Sequence, residues 1–153
     1  MEITLPDEGA MPASGMVRVE SDRRLGGMVQ FRRAMEGMPG QAAAVALMTP
    51  GGPLVAPFDN RDGVLTAIAL ANAHVTEEAR VTLTARNAAG AVIETATVNL
   101  PAQGHRAVAL TELLPRSQGE WGGLEIRTEG GAASAIALRF LDSGAFTSIQ
   151  MWK

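Results

Sequence analysis

The stretch that decides the fold is Arg80-Val81-Thr82-Leu83-Thr84-Ala85-Arg86, in which apolar and polar side chains alternate. The valine, the leucine and the alanine would share one face of a strand, and the threonines and arginines would share the other. Such a period of two is typical of a half-buried antiparallel strand. Asn87-Ala88-Ala89-Gly90 has the composition of a tight turn, and the alternation resumes from Val92 to Leu100. The stretch therefore predicts a β-hairpin with one face against a core.

The rest of the chain has the same character on both sides of this hairpin. About ten short strands, with turn signals about every 8–12 residues and almost no amphipathic helix, predict an all-β antiparallel sandwich over residues 1–153. A closed β-barrel is the alternative. A division into residues 1–50 and a core module of residues 51–153 stays open. The predicted inner faces consist of Ile68, Leu70, Val81, Leu83, Val98, Leu100, Val108, Leu110, Leu124, Ile126, Ile136 and Leu138.

Two outer hairpins are predicted, and their sequences resemble each other. The first joins Met16–Glu20 to Gly27–Arg32, and the second joins Gly123–Thr128 to Ala133–Leu141. The two align at a constant offset of 107 residues, which is typical of tandem modules, although any two β-hairpins look alike. Between them, Gln41–Met48 is compatible with either a helix or a strand.

The composition excludes several kinds of site. The chain has no cysteine, so disulfides, thiolate metal sites and cysteine nucleophiles are ruled out. Its net charge of −3 is too small to indicate a nucleic acid as partner. Its single lysine is Lys153, so the body of the chain has no lysine-dependent chemistry. No apolar run reaches the roughly 18 residues that a membrane helix needs, so no membrane insertion is expected.

Several runs of residues carry a family resemblance, which covers roughly residues 15–33 and 54–150. The runs are Val17-Arg18-Val19-Glu20-Ser21-Asp22-Arg23, Pro57-Phe58-Asp59-Asn60, Thr66-Ala67-Ile68-Ala69-Leu70-Ala71-Asn72, Leu100-Pro101-Ala102-Gln103-Gly104-His105, Leu113-Leu114-Pro115, Leu138-Arg139-Phe140 and Gly144-Ala145-Phe146-Thr147-Ser148-Ile149. Together they resemble a repeat module of secreted, surface-exposed multi-domain proteins of soil bacteria. The resemblance implies an immunoglobulin-like sandwich outside the cell, without an assigned activity.

Two features depart from this resemblance. The Met-rich insert at residues 34–48 matches no part of the module. Met1-Glu2-Ile3 is not the basic and then apolar start of a signal peptide, so secretion is implied by the resemblance alone.

Catalysis is not expected. His74 and His105 are the two histidines, and neither has a second histidine or a carboxylate at metal-ligand spacing nearby. No Gly-x-Ser-x-Gly elbow marks a nucleophile, although a triad can assemble from distant positions. The sequence therefore predicts no enzyme and no cofactor.

Two groups of residues are weak candidates for metal sites. Asp59, Asn60 and Asp62 gather calcium-type oxygen ligands in a loop that ends in a glycine, but an EF-hand glutamate is missing and turns have the same composition. Met28, Met35, Met38 and Met48 have thioethers that could bind Cu(I), lie at a contact between modules, or fill a core.

Trp121 and Trp152 are the candidates for stacking on a sugar ring, although two tryptophans could also close the ends of the core. The predicted function is a non-catalytic structural or interaction module whose partner is a neighbouring module or another protein. A carbohydrate-binding module that uses Trp121 or Trp152 is one alternative. A subunit that assembles by pairing its sheet edges is another.

Overall fold

The computed structural model describes residues 15–23, 25–34 and 40–153, and nearly all of the regular secondary structure in this part of the chain is β-strand. Its two short helical segments are α1 (Leu110–Leu113) and a 3₁₀ turn at Pro115–Ser117. Neither has the length and apolarity needed to cross a lipid bilayer. The strands are β1 (Met28–Arg33), β2 (Gln41–Ala46), β3 (Leu54–Asp59), β4 (Val64–Asn72), β5 (Ala79–Asn87), β6 (Val92–Leu100), β7 (His105–Ala109), β8 (Trp121–Glu129), β9 (Ala133–Leu141) and β10 (Phe146–Ile149).

Two four-stranded antiparallel sheets pack face to face as a sandwich. One has the strand order β10-β9-β4-β7, and the other has the order β3-β8-β5-β6. The predicted hairpin is present, because β5 pairs with β6 across the turn at Asn87–Gly90. The prediction of an all-β sandwich is confirmed, and the alternative of a closed barrel is wrong.

The core lies between the sheets and contains most of the predicted residues. Nine of the twelve are buried, and Val108 is partly buried against them. The exceptions are Ile136 and Leu138, which lie on the outer face of β9. The inward positions of that strand belong instead to alanines, such as Ala135 and Ala137, which pair in register with the large residues Leu70 and Ile68 of β4. Because side chains alternate with a period of two, an error of one residue assigns every side chain of the strand to the wrong face of the sheet.

Both predicted outer hairpins are wrong in their pairing. Residues 15–20 form no strand, and β1 pairs instead with β2, which settles residues 41–46 as a strand. The segment after β8 crosses from one sheet to the other, so β8 pairs with β3 and β5 while β9 pairs with β4 and β10. Alternation identifies strands but does not show which strands are neighbours. The proposed repeat therefore loses its structural basis, which was a pair of equivalent hairpins.

Two buried asparagines fix the loops at opposite ends of β4. Asn72, which is fully buried, donates from its amide to the carbonyl oxygens of Glu77 (2.7 Å), Pro101 (3.1 Å) and Leu100 (3.2 Å). Its own oxygen accepts hydrogen bonds from two backbone N–H groups, those of His74 (3.1 Å) and Ala132 (3.0 Å). One side chain thus connects three loops to the end of the strand.

Asn60 has the equivalent position before β4 begins. Its amide nitrogen donates to the hydroxyl of the buried Ser117 (3.0 Å), and its oxygen accepts the backbone N–H of Thr66 (2.8 Å). Thr66 is itself buried, and its hydroxyl bonds both the N–H and the carbonyl of Asp59 at 3.0 Å. These bonds hold the end of β3 in place, where the candidate site begins.

Candidate ligand-binding groove

An open groove of about 580 Å³ lies at the end of the sandwich where β3, β5 and β9 end and β8 begins. Aromatic, cationic and amide side chains line it, together with glycines that leave part of the wall without side chains. Its principal lining residues are Asp59, Arg86, Asn87, Trp121, Gly122 and Arg139. Of these, sequence analysis singled out only Trp121 as a ligand-stacking residue.

Trp121 is 48% exposed beside this groove, so it is not a plug of the core. The Arg61 guanidinium lies over its ring, with Cζ 4.8 Å from the ring centroid, which is a cation–π contact. Arg61 also donates two hydrogen bonds to Asp59, Nε to Oδ1 and Nη2 to Oδ2, each at 2.9 Å. One face of the indole is therefore covered by a guanidinium that Asp59 holds in place.

The carboxylate of Asp59 is stabilised in its charged form. Hydrogen bonds from the Arg61 side chain are the main cause that lowers the pKa of Asp59 below its ordinary value of 3.8, and partial burial opposes them. The positive charge of Arg139 acts in the same direction as Arg61. The folded pKa is thus below the unfolded pKa, so this contribution to stability is complete above the unfolded value and disappears as the pH falls through the folded value.

We expect the Asp59→Asn variant to show a weaker loss of stability on acidification than the wild-type protein. The difference should develop as the pH falls below about 4, because only there does the wild-type carboxylate become protonated. Thermal unfolding measured between neutral pH and about pH 2.5 would show it. The exposed Asp22→Asn serves as the control, and equal acid sensitivity of Asp59→Asn and wild type would contradict the role given to the Asp59–Arg61 pair.

Arg139 reaches the groove from the other sheet. It continues the inward side of β9 after three buried alanines, Ala133, Ala135 and Ala137, at the point where the two sheets end. Its Nε is buried and has no hydrogen-bond partner in the described part of the chain. Buried donors normally have acceptors, so this one has hydrogen-bonding capacity that the protein does not use.

Gly122 sets the shape of the groove wall. A Cβ at this position would collide with the carbonyl oxygen of Arg86 on the neighbouring strand, whereas a Cβ on Gly123 would meet nothing within 4 Å.

We expect Gly122→Ala to lower the free energy of unfolding by about 1–3 kcal/mol, because β5 and β8 would have to separate. Gly123→Ala is the matched control and should have a much smaller effect. Chemical denaturation measures both, and equal effects would contradict the close approach of the two strands.

Trp152, the second predicted tryptophan, lies outside the groove. Its backbone exchanges two hydrogen bonds with Val55 on the edge strand β3, at 2.8 and 2.9 Å, and its side chain is 54% exposed. Trp121 pairs with Asp59 on that strand, four residues further along. The two tryptophans therefore do not form one platform.

The predicted calcium ligands do not form a set. Both carboxylate oxygens of Asp59 bind Arg61, and the side-chain oxygen of Asn60 accepts the N–H of Thr66. No group of three or more histidine or acidic side chains that could hold a metal ion occurs in the residues that the structure describes. The Asp59–Asn60 pair instead connects β3 to β4.

The two histidines have different surroundings. The Nδ1 of His74 accepts the N–H groups of Glu77 (2.9 Å) and Thr76 (3.3 Å), so this ring stabilises its own loop. Its Nε2 lies 3.7 Å from a carboxylate oxygen of Glu77. His105 begins β7 opposite Ala71. Both histidines lie outside the groove.

Met28 is 71% exposed on β1, and Met48 packs against the core while remaining partly exposed. Met35 and Met38 lie outside the described residues, so the contact and the Cu(I) site considered for the four methionines stay predictions.

Sequence reasoning missed both Arg86 and Arg139, and it missed Arg139 because it assigned β9 to the wrong face. If the alanines of β9 had been placed inside, Arg139 would have followed them as an inward arginine at a strand end, which is an unusual position. Arg86 gives no comparable signal. The pattern places it on the solvent face of β5, where arginine is common.

Comparison with protein-family models, with curated proteins and with solved structures found no match to this chain.

Proposed function

We propose that this chain is a non-catalytic structural or interaction module of a secreted or cell-surface bacterial protein, and that the β1–β2 hairpin contacts a further copy of the same fold. The surface location and the immunoglobulin-like character rest on the family resemblance of the motif residues. The contact rests on one observation, which is the exposed outer face of this hairpin.

The β1–β2 hairpin forms a sheet of its own and joins neither sheet of the sandwich. Its inner side lies against β10 and includes the buried Ala43. Its outer side carries Met28, Gln30 and Arg32 on β1 and three exposed alanines, Ala42, Ala44 and Ala46, on β2. A two-stranded ribbon is only marginally stable alone, and the row of small apolar side chains on β2 suits contact with another sheet.

Self-association of the chain tests this proposal. We expect sedimentation velocity at rising concentration to show a dimer in the wild-type protein, and Ala44→Glu to remove it by placing a charge on the outer face. The exposed turn variant Ala89→Glu is the matched control and should associate as the wild type does. A strict monomer up to millimolar concentration, or equal behaviour of the two variants, would contradict the proposal.

A second candidate function is carbohydrate binding at Trp121. The half-exposed indole beside an open groove supports it, because aromatic platforms bind the apolar faces of sugar rings. Affinity electrophoresis through gels that contain soluble polysaccharides is the test. Trp121→Ala should lose any retardation, and Trp152→Ala should keep it, since Trp152 has similar exposure but lies outside the groove. Retardation that is independent of Trp121 would contradict this candidate.

A further inference from the structure

We infer that the groove binds a saccharide that bears a carboxylate, with Arg139 binding the carboxylate and Trp121 stacking on the sugar ring. This inference rests on the second candidate function above and specifies its ligand class.

The first step is the unused donor of Arg139. A guanidinium presents its N–H groups in a planar fork, and the Nε and one Nη together match the two oxygens of a carboxylate. In Arg139 the Nε is buried and unpartnered within the described residues, although the side chain lines the groove. The Nε itself is closed to solvent, so a ligand carboxylate would bind the outer edge of the fork, the two Nη groups, and no hydrogen bond to a described residue competes for them.

The second step compares the three arginines near the groove. Arg61 is committed to Asp59 through two hydrogen bonds. Arg86 donates to the carbonyl of Gly90 at 3.2 Å, and its Nη2 lies 3.8 Å from a carboxylate oxygen of Glu125. Arg139 is therefore the arginine that is best placed to bind a ligand.

The third step is the charge balance. Three guanidinium groups, those of Arg61, Arg86 and Arg139, surround this end of the sandwich, and the carboxylates that face them belong to Asp59, Asp62 and Glu125. Arg127 also pairs with Glu125, so that carboxylate is shared between two cations. The summed charge of these arginines and carboxylates is positive, which favours an anionic ligand over a neutral one.

The fourth step is shape. Trp121 is about half exposed beside the groove, and Gly122 and Gly123 leave the adjoining wall without side chains. A ring with an apolar face can therefore approach the backbone closely, while Asn87 supplies an amide for hydroxyl groups. An apolar ring face joined to a planar anion is the chemistry of a uronic acid.

The test compares two probes with one carbohydrate backbone, tetragalacturonic acid and its fully methyl-esterified form, by isothermal titration calorimetry with the full chain. We expect the acid to bind about ten- to hundredfold more tightly than the ester, which is the range for one charge-assisted hydrogen-bonded contact. Arg139→Gln should lower the affinity for the acid to that for the ester. Arg106→Gln, which changes an exposed arginine on β7 of the sheet that carries Arg139, should leave both affinities unchanged.

Each further outcome decides between the proposals. Equal binding of acid and ester by the wild-type protein would overturn the carboxylate assignment and leave carbohydrate binding intact. Binding of neither probe, together with no retardation in any polysaccharide gel, would overturn both. If a sulfated neutral backbone bound as tightly as the acid, the site would select charge without selecting carboxylate, and the assignment would be wrong. Because Arg139→Gln could unfold the chain, its melting temperature is measured first, and the comparison of acid with ester in wild type stands without it.

Discussion

Replacement of Asn72 by alanine is expected to lower the free energy of unfolding by about 3 kcal/mol or more. The substitution removes five hydrogen bonds and leaves three carbonyl oxygens and two N–H groups at the end of the sandwich without their partner. Leaving a buried polar group unsatisfied costs roughly 1–3 kcal/mol, and water that enters the opened site would recover part of the total. Since small domains are stable by only about 5–15 kcal/mol, a loss of this size removes a large fraction of the stability.

Equilibrium denaturation with urea measures this effect, and Asn99→Ala is the matched control. Asn99 lies on β6 with its side chain exposed, so its loss should change stability by about 0.5 kcal/mol or less. We also expect Asn72→Asp to be at least as harmful as Asn72→Ala. An aspartate would direct a buried negative charge toward the carbonyl oxygens that the asparagine amide now contacts. If Asn72→Ala were as stable as Asn99→Ala, the three loops would not depend on this side chain.

Leu83→Asp is expected to have the largest effect of any substitution considered, with the domain unfolded at room temperature. Leu83 is fully buried at the centre of β5. Its register partners on the two flanking strands are Ala96 of β6 and Ile126 of β8. The substitution loses the burial of a large side chain and places an unpaired carboxylate in the core, at a total cost of about 5 kcal/mol or more. Circular dichroism and size-exclusion chromatography would show the loss of the fold.

The controls lie on the same strand and point outward. Thr84→Asp should leave the domain folded, although Thr84 hydrogen-bonds Thr95 (3.2 Å) and lies opposite the acidic Glu125. Thr82→Asp is the cleaner control, because its neighbour on β8 is Arg127. Unfolding by either threonine variant to the same extent as by Leu83→Asp would mean that the two faces of β5 are assigned the wrong way round.

The β5–β6 hairpin was predictable because all of its information is local. Alternation over Ala79–Asn87 identifies the buried face, and Asn87 fixes the turn that follows, with its side-chain oxygen accepting the N–H groups of Ala89 and Ala91. In this part of the chain, the local sequence pattern predicts the same strand pairing that the structure shows.

The pairing of β8 with β5 could not be read in the same way. A glycine-containing turn between two alternating runs predicts a hairpin, and the run from Trp121 to Leu141 has that form. In the structure the intervening loop is bound by Asn72, since the N–H of Ala132 donates to its side chain, and the chain crosses to the opposite sheet. That bond joins residues 60 positions apart in the sequence, so no local pattern reveals it.

For the candidate site, the sequence identified an aromatic residue and the fold supplied its surroundings. Trp121 could be named because tryptophan is rare in this chain and large when exposed. In the sequence, Arg61 belongs to a turn. Its guanidinium lies over one face of the indole because β3 and β8 pair with Asp59 opposite Trp121. Arg139 comes from a third strand in the other sheet, so its approach to the groove depends on how the two sheets are stacked.

The sequence by itself determined the class of the fold, nine of the twenty buried residues of its core, counted over the described ranges, and the absence of cysteine chemistry. These follow from side-chain periodicity and composition, which act over a few residues at a time. The tertiary structure alone decided which strands are neighbours, which face of β9 is inside, and which charged groups surround Trp121. Those features depend on contacts between residues far apart in the chain, where backbone pairing and buried hydrogen bonds select one arrangement from several that have the same local pattern.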